Sequence, residues 1–400
     1  MAEGRPSTFN RAAHAPVPFW RDIRIIQVIA QIVFLVLVAA AGYLLIHNLL
    51  NNLEASHLTI NFHTLERPFG TMISEGTSNF EPSKSTNLQA LMIGLKNTLR
   101  VVVVGLIGAT FLGILIGIGE LSTNLLVRTV AKSYVEVFRN TPLLVQLYFI
   151  YRGMRLVVPE NLRDSYKLPG PVYINRRAVN FPLIQGTETA WILYVAVGLG
   201  LAVGIGLWIW RLRVQEHTGQ RAYTMRWFLA ALLGFTVIGW LLASKPFSIE
   251  YPHLKGFNFE GGDRLSAEYI ALTIGLILYT AAFIADIVRA GIQAVPYEQI
   301  EASRALGFNN ADTLRLVVLP HALRLIIPPL GNQYLNLTKN SSLGVAIGFF
   351  DVYNVANVIS NQTSQSVAIF AVMMVIYLSL SLIISAVMNT LNYTMRLKER

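Results

Sequence analysis

The chain contains no cysteine among its 400 residues, which removes disulfide frameworks, thiol nucleophiles and cysteine-held zinc or iron–sulfur centres together. Charge is also scarce. Asp, Glu, Lys and Arg make up 14% of residues against 54% hydrophobic ones, at a mean hydropathy of +0.50, a balance at odds with a soluble chain of this length. No G-x-x-x-x-G-K-[ST] occurs, nor any Gly-Lys dipeptide, so the chain has no P-loop with which to cradle a nucleotide. H-E-x-x-H and G-x-S-x-G are missing too, leaving zinc proteolysis and serine hydrolysis without a motif and giving no reason to expect a bound metal.

Long apolar runs take the place of these motifs. After a basic stretch with Arg5, Arg11, Arg21 and Arg24, Ile25 to Leu53 carries no charged side chain, and its length favours an anchoring helix over a cleaved signal peptide. Further runs follow at Val101–Gly119, Thr189–Trp210, Trp227–Ser244, Tyr269–Ala285, Leu325–Phe349 (interrupted by Lys339) and Val367–Met388. The window between Arg139 and Arg152 is shorter than a bilayer crossing and must borrow residues outside it, its arginines snorkelling. The pattern predicts an all-α polytopic membrane protein of about eight transmembrane helices. Glu54–Asn87 reads as an external polar loop, and two connectors, Pro159–Glu188 and Lys245–Arg264, bracket the fourth and fifth spans. A modest Lys/Arg excess and the short basic hairpin Arg211–Arg226 place both termini in the cytoplasm. The net charge of +10 is spread over loops without an aromatic-basic platform, which favours membrane lipid over nucleic acid.

The segment VPYEQIEASRALGFNNADTLRLVVLP carries the strongest local pattern. Pro296 can open a short helix, Gly307 can close it in a left-handed cap, and Asn309, Asn310 and Asp312 can start a second helix that stops at Pro320. Ala302, Ser303 and Ala305 allow close approach of another backbone. Ile300 and Leu306 offer apolar anchors, and Glu301 a carboxylate for a basic side chain. On composition alone, a docking element and a hairpin without a partner both stay open.

EASRALGFNNADTLRLVVLP resembles the EAA loop of ABC importer permeases. Glu301, Ala302, Gly307, Leu319 and Pro320 fall on its pattern, with Ser303 in place of the second Ala and Val317 in place of Ile. The resemblance implies that Glu301, Ala302, Ser303, Gly307, Leu319 and Pro320 form a coupling loop docking on a separate ATP-binding subunit. ATP and magnesium would sit on that subunit and no cofactor on this chain, which would be a transport subunit and not an enzyme. YVEVFRNTPLLVQLYFIYRG, EYIALTIGLILYTAAFIADIVRAGIQAVP and LTKNSSLGVAIG are similar to permeases of polar amino-acid importers, over about Leu88–Val158 and Leu265–Arg396. The implied layout is an N-tail, extra helix and external loop (1–87), a first part of a five-helix permease core (88–158), an inserted two-helix hairpin with loops (159–264), and the second part of the core (265–400). The enlarged layout is similar to the larger permeases of general L-amino-acid and glutamate/glutamine/aspartate/asparagine importers. It implies a second, different permease, a periplasmic amino-acid-binding protein, and inward transport of polar L-amino acids across the bacterial inner membrane.

Within the apolar runs, Asn332, Asn336, Lys339 and Asn340 recur at i, i+4, i+7 and i+8 and share one helix face. An unpaired ammonium at bilayer depth costs on the order of 3 kcal/mol, so Lys339 is expected to meet a carboxylate such as Asp286, a wet cavity, or a substrate α-carboxylate, or to snorkel to a nearby surface. These remain open alternatives, and an ion-gradient-driven secondary transporter using Lys339 and Asp286 is the rival reading. Asp286 and Arg289, three residues apart, predict a local helical pair. Arg139, Asn140, Thr141 and Pro142 mark the start of the third span.

Overall fold

The computed structural model describes residues 23–55, 60–73, 75, 80–219, 221, 223–256 and 258–395. The basic tail 1–22, parts of the external loop (56–59, 74, 76–79) and the last residues 396–400, on which part of the charge-bias reading rests, lie outside the described residues. Residues up to Phe62 and those from His63 onward are two separate units. In the first, α1 (Ile23–Ala55) is a 33-residue helix, about 50 Å long at 1.5 Å per residue and more than enough for a bilayer.

The second unit is built around two long helices. α2 (Asn87–Glu120) starts at a capping box in which the Thr86 hydroxyl accepts from the Gln89 amide and the Gln89 side chain accepts from the Thr86 amide. Its residues Gly105, Ala109, Gly113 and Gly117 recur every four positions, the spacing of a small-residue stripe that lets helices approach closely in lipid. α3 (Leu125–Asn140) and α4 (Leu143–Val157) follow. After the inserted region comes α7 (Ala267–Gln293), the centre of the unit, which packs on the stripe at Gly113 and Gly117, while Gly105 faces Leu337. A Cβ on Gly113 would lie 2.6 Å from Ile284, and one on Gly117 2.6 Å from the Ala285 carbonyl oxygen.

The inserted region begins with short strands β1 (Tyr166–Leu168), β2 (Val172–Ile174), β3 (Ala178–Phe181) and β4 (Leu183–Gly186), continues through α5 (Ala190–Thr218) and α6 (Thr224–Ala243), and ends with β5 (Phe247–Glu250), β6 (His253–Lys255), β7 (Asn258–Glu260) and β8 (Asp263–Ser266). The two connectors pair with each other. β4 lies antiparallel to β5 from Leu183↔Glu250 to Gly186↔Phe247, and β3 antiparallel to β8 from Ala178↔Ser266 to Phe181↔Asp263, completing the sheet order β1-β2-β3-β8. β6 and β7 form a separate ribbon. A β stalk therefore carries the α5–α6 pair, and β8 runs directly into α7.

Beyond α7 lie α8 (Tyr297–Ala305), α9 (Asn310–Thr313), a π-helical stretch (Leu314–Val318), α10 (Leu319–Asn340), a 3₁₀ stretch (Ser341–Ile347), α11 (Val352–Thr363) and α12 (Ser366–Met395). Among the described residues, seven helices are long and apolar enough to cross a membrane. The remaining span expected from the sequence, around Arg139–Arg152, is divided at Thr141–Pro142. α4 has 15 residues and rises about 22 Å, less than the roughly 30 Å hydrocarbon layer. One expectation is corrected: Pro320 does not stop a helix. It occupies the first turn of α10, and the chain stays helical from Asn310 to Asn340. The Leu319 amide bonds to the Leu314 carbonyl, an i→i+5 link. This shift in register accommodates the missing N–H and the ring of the proline, which an unbroken α-helix would resist.

Candidate functional site

α8 and α9 form the helix-turn-helix element read from the sequence. Pro296 caps α8, and Gly307 takes φ +83° at its far end. There the Gly307 amide bonds to the Arg304 carbonyl (2.9 Å) and the Phe308 amide to the Ser303 carbonyl (3.1 Å), satisfying carbonyls that the helix end leaves free. The Asn309 side chain accepts from the Asp312 amide at 2.8 Å and starts α9. Ser303 is buried. Its hydroxyl donates to the Ile300 carbonyl at 2.8 Å and lies 3.0 Å from the Thr313 hydroxyl, tying the two helices together. Ile300 packs against the core. The opposite face is open: Glu301 and Ala302 are exposed, Tyr297 is 61% and Leu306 76% exposed, and Phe308 is also solvent-facing. Tyr297 and Phe308 join this face; Phe308 was passed over in the sequence, its signal an aromatic just past the end of a polar helix. Leu319 is exposed and Pro320 half-buried in the first turn of α10.

The C-terminal parts of α2, α3 and α7 meet in a charged cluster. Asp286 pairs with Arg139 and, at 2.8 Å, with the Arg289 guanidinium, so the local pair expected at i, i+3 is present. Arg289 Nε also lies 3.2 Å from the buried Glu120 carboxylate, although neither atom finds an aligned hydrogen bond. This is a Coulombic contact and not a directed one. A cleft of about 410 Å³ opens here, lined by Glu120, Lys132, Glu136, Arg139, Asn140 and Arg289.

The polar stripe runs along the last turns of α10. Asn332, Asn336 and Lys339 are exposed and Asn340 half-buried. Asp286 is engaged by arginines, and among the described residues no carboxylate is within ion-pair distance of Lys339. Asn332 alone of the four lines a cleft of about 230 Å³ between α10 and α12, with Pro328, Gly331, Ser385, Asn389 and Asn392. The α12 residues went unread in the sequence. Their helical spacing at i, i+4 and i+7 at the end of an uncharged run was the available signal.

At the opposite end, where α7 starts, the Ser266 hydroxyl donates to the buried Glu75 carboxyl. Burial pushes this group up to about 8, the neighbouring Glu268 adding to the rise while Arg100 and Arg264 oppose it. Tyr151 donates to Glu268 at 2.7 Å and receives a bond from Arg155 at 3.1 Å.

Residues 265–397, from the end of β8 to the end of α12, match the family of binding-protein-dependent transport system inner membrane components. Similarity to curated proteins extends over nearly the whole chain. The general L-amino acid transport system permease protein AapQ of Rhizobium johnstonii is 40% identical over 92% of this chain and 92% of its own. The chain belongs to this permease family. The glutamate/glutamine/aspartate/asparagine transport system permease protein BztB of Rhodobacter capsulatus is 39% identical over 95% and 96% of the two chains. The putative amino-acid ABC transporter permease protein YhdX of Escherichia coli is 38% identical over 92% and 93%. The permease is thus a multi-pass inner-membrane transport subunit and not itself an enzyme, and the ABC importer reading prevails over the secondary transporter.

Proposed function

We propose that this permease passes polar L-amino acids inward and that α8 is the surface on which a separate ATP-hydrolysing subunit docks, with both termini of the chain in the cytoplasm. The observation that carries this reading is the two-sided construction of α8. Its inner side is fastened by Ile300 and the Ser303–Thr313 contact, while its outer side offers Tyr297, Glu301, Ala302 and Leu306. A face of apolar anchors around one carboxylate suits the groove of a basic-lined partner. Gly307 and Leu319–Pro320 belong to the same loop, and α9, the π-helical stretch and α10 form a continuous helical path from it to Asn332, Asn336, Lys339 and Asn340. Displacement of α8 by a closing partner therefore moves the helix that bears the polar stripe, which suits a substrate path in which the Lys339 ammonium meets the α-carboxylate common to amino acids. ATP and magnesium would be held by the partner. A second, different permease and a periplasmic amino-acid-binding protein complete the proposed assembly. Direction comes from ATP closure, since a substrate binding both states equally shifts nothing. The substrate class is supported by the names of the 39–40% identical relatives.

The test is uptake of radiolabelled L-glutamate, L-glutamine and a general amino-acid mixture in cells carrying the full system. Glu301→Arg, a charge reversal on the exposed face, is expected to abolish uptake while the protein still inserts in the membrane. Normal uptake by that variant would remove the docking role of α8.

A further inference from the structure

The inserted hairpin has no part in the reading above, and its tip has a distinct chemistry. α5, with 29 residues, and α6, with 20, are about 43 and 30 Å long, so the end of α5 reaches beyond the hydrocarbon layer. Trp208, Trp210, Tyr223 and Trp227 gather where it does so, marking headgroup depth as interfacial aromatics do. Between Arg211 and Arg226 lie four arginines, no lysine and one carboxylate, Glu216. The Arg211 guanidinium is 4.7 Å from the Trp227 ring centroid and 5.5 Å from that of Trp210, and Arg226 is 4.6 Å from the Tyr223 ring. Among the described residues, none of Arg211, Arg213, Arg221 and Arg226 has a carboxylate within ion-pair distance. Arg211 Nε is buried without a hydrogen-bond partner.

We infer that this tip is a binding site for the phosphodiester headgroup of an anionic phospholipid. Ring stacking holds a guanidinium in a plane, and the pair of terminal Nη groups, beyond the buried Nε of Arg211, matches two phosphate oxygens. Membrane orientation is served equally by lysine and arginine. The all-arginine, ring-stacked composition therefore points beyond orientation to a forked acceptor. The net positive charge of the tip favours an anionic over a zwitterionic headgroup.

The full chain, with the subunits that co-purify, would be exchanged into equimolar phosphatidylglycerol and phosphatidylcholine of matched acyl chains, and retained lipid counted by native mass spectrometry. The wild type is expected to retain phosphatidylglycerol at least about fivefold over phosphatidylcholine. Each arginine changed to glutamine, Arg211→Gln and Arg226→Gln, is expected to lower retention about fivefold, the factor matching roughly 1 kcal/mol per basic residue at an anionic surface. Arg211→Lys, which keeps the charge and loses the planar fork, should lose most of the preference. Equal retention of the two lipids by the wild type would overturn the site without reference to any variant. Wild-type behaviour of Arg211→Lys, or complete displacement of lipid by millimolar inorganic phosphate, would overturn it equally, by reducing it to diffuse charge or to a free-anion site.

Discussion

Ser303 shows how one side chain departs from the family pattern and is put to use. The EAA loop it resembles has alanine there, and the structure gives the extra hydroxyl a partner, Thr313. Ser303→Ala is expected to leave that contact unmade and destabilise the loop by about 1 kcal/mol, read as a lowered melting temperature of the purified chain with the α8 surface intact. Gly307 is a sharper case. A Cβ there would meet nothing within 4 Å, so the cost of Gly307→Ala is conformational, about 1–2 kcal/mol for φ +83°. The same melting measurement should show it, together with reduced uptake as α8 is re-aimed. Gly307 was legible in the sequence because a glycine after a helix, with an asparagine before the next, is a local signal, and Ser303 through its place in the EAA-like pattern. Glu75 was not legible, since the groups that bury it arrive from distant parts of the chain. Its carboxyl titrates near 8 when folded against an ordinary value of 4.5. The folded state therefore keeps a proton that the unfolded chain releases, and the stability this contributes is full below about pH 4.5 and falls as pH rises through about 8. Wild-type melting temperature should drop as pH rises from about 4.5 to about 8, with Glu75→Gln flattening that portion of the curve.

At the scale of elements, helical periodicity and uncharged length located the long spans, while the points of disagreement arise where one residue type permits two outcomes. Pro142 divides α3 from α4, whereas Pro320 sits inside a helical path because the preceding π-helical stretch has already shifted the hydrogen-bond register. A linear sequence shows the proline and not the register. The connectors around the hairpin were read as loops because their strands are three or four residues long, too short for an alternating pattern, and they gain order by pairing across an insertion of two helices. The stripe of Gly105, Ala109, Gly113 and Gly117 on α2 was visible in the residues but gained meaning only with its neighbours, α7 at Gly113 and Gly117 and Leu337 of α10 at Gly105. Gly113→Leu would force a branched side chain into Ile284, 2.6 Å from where its Cβ must lie, and overpacking of this kind costs typically about 1–3 kcal/mol or more. The expected outcome is poor recovery of the folded chain in detergent, seen as an early-eluting aggregate in size-exclusion chromatography. A normal monodisperse peak would mean that α2 and α7 do not approach as closely as described.

For the whole molecule, composition separated membrane from soluble chain, and the residues from Glu301 to Pro320 supplied the family. The proposed site is a surface and a path. Such features leave sequence signals only where a turn, a cap or an intramembrane charge is required, which is why Gly307 and Lys339 stood out in the sequence while Asn389 and Asn392 did not. A chain without a P-loop that moves substrate with ATP must find its ATPase elsewhere, and the proposed contact is the exposed face of α8. The decisive measurement is affinity purification of the tagged chain in mild detergent, wild type beside Glu301→Arg, with mass identification and an ATPase assay of what is retained. Recovery of an ATP-hydrolysing P-loop subunit by the wild type and its loss from the variant is the expected result. A chain that purifies alone, and moves amino acids in liposomes on an ion gradient without ATP, would contradict the claim.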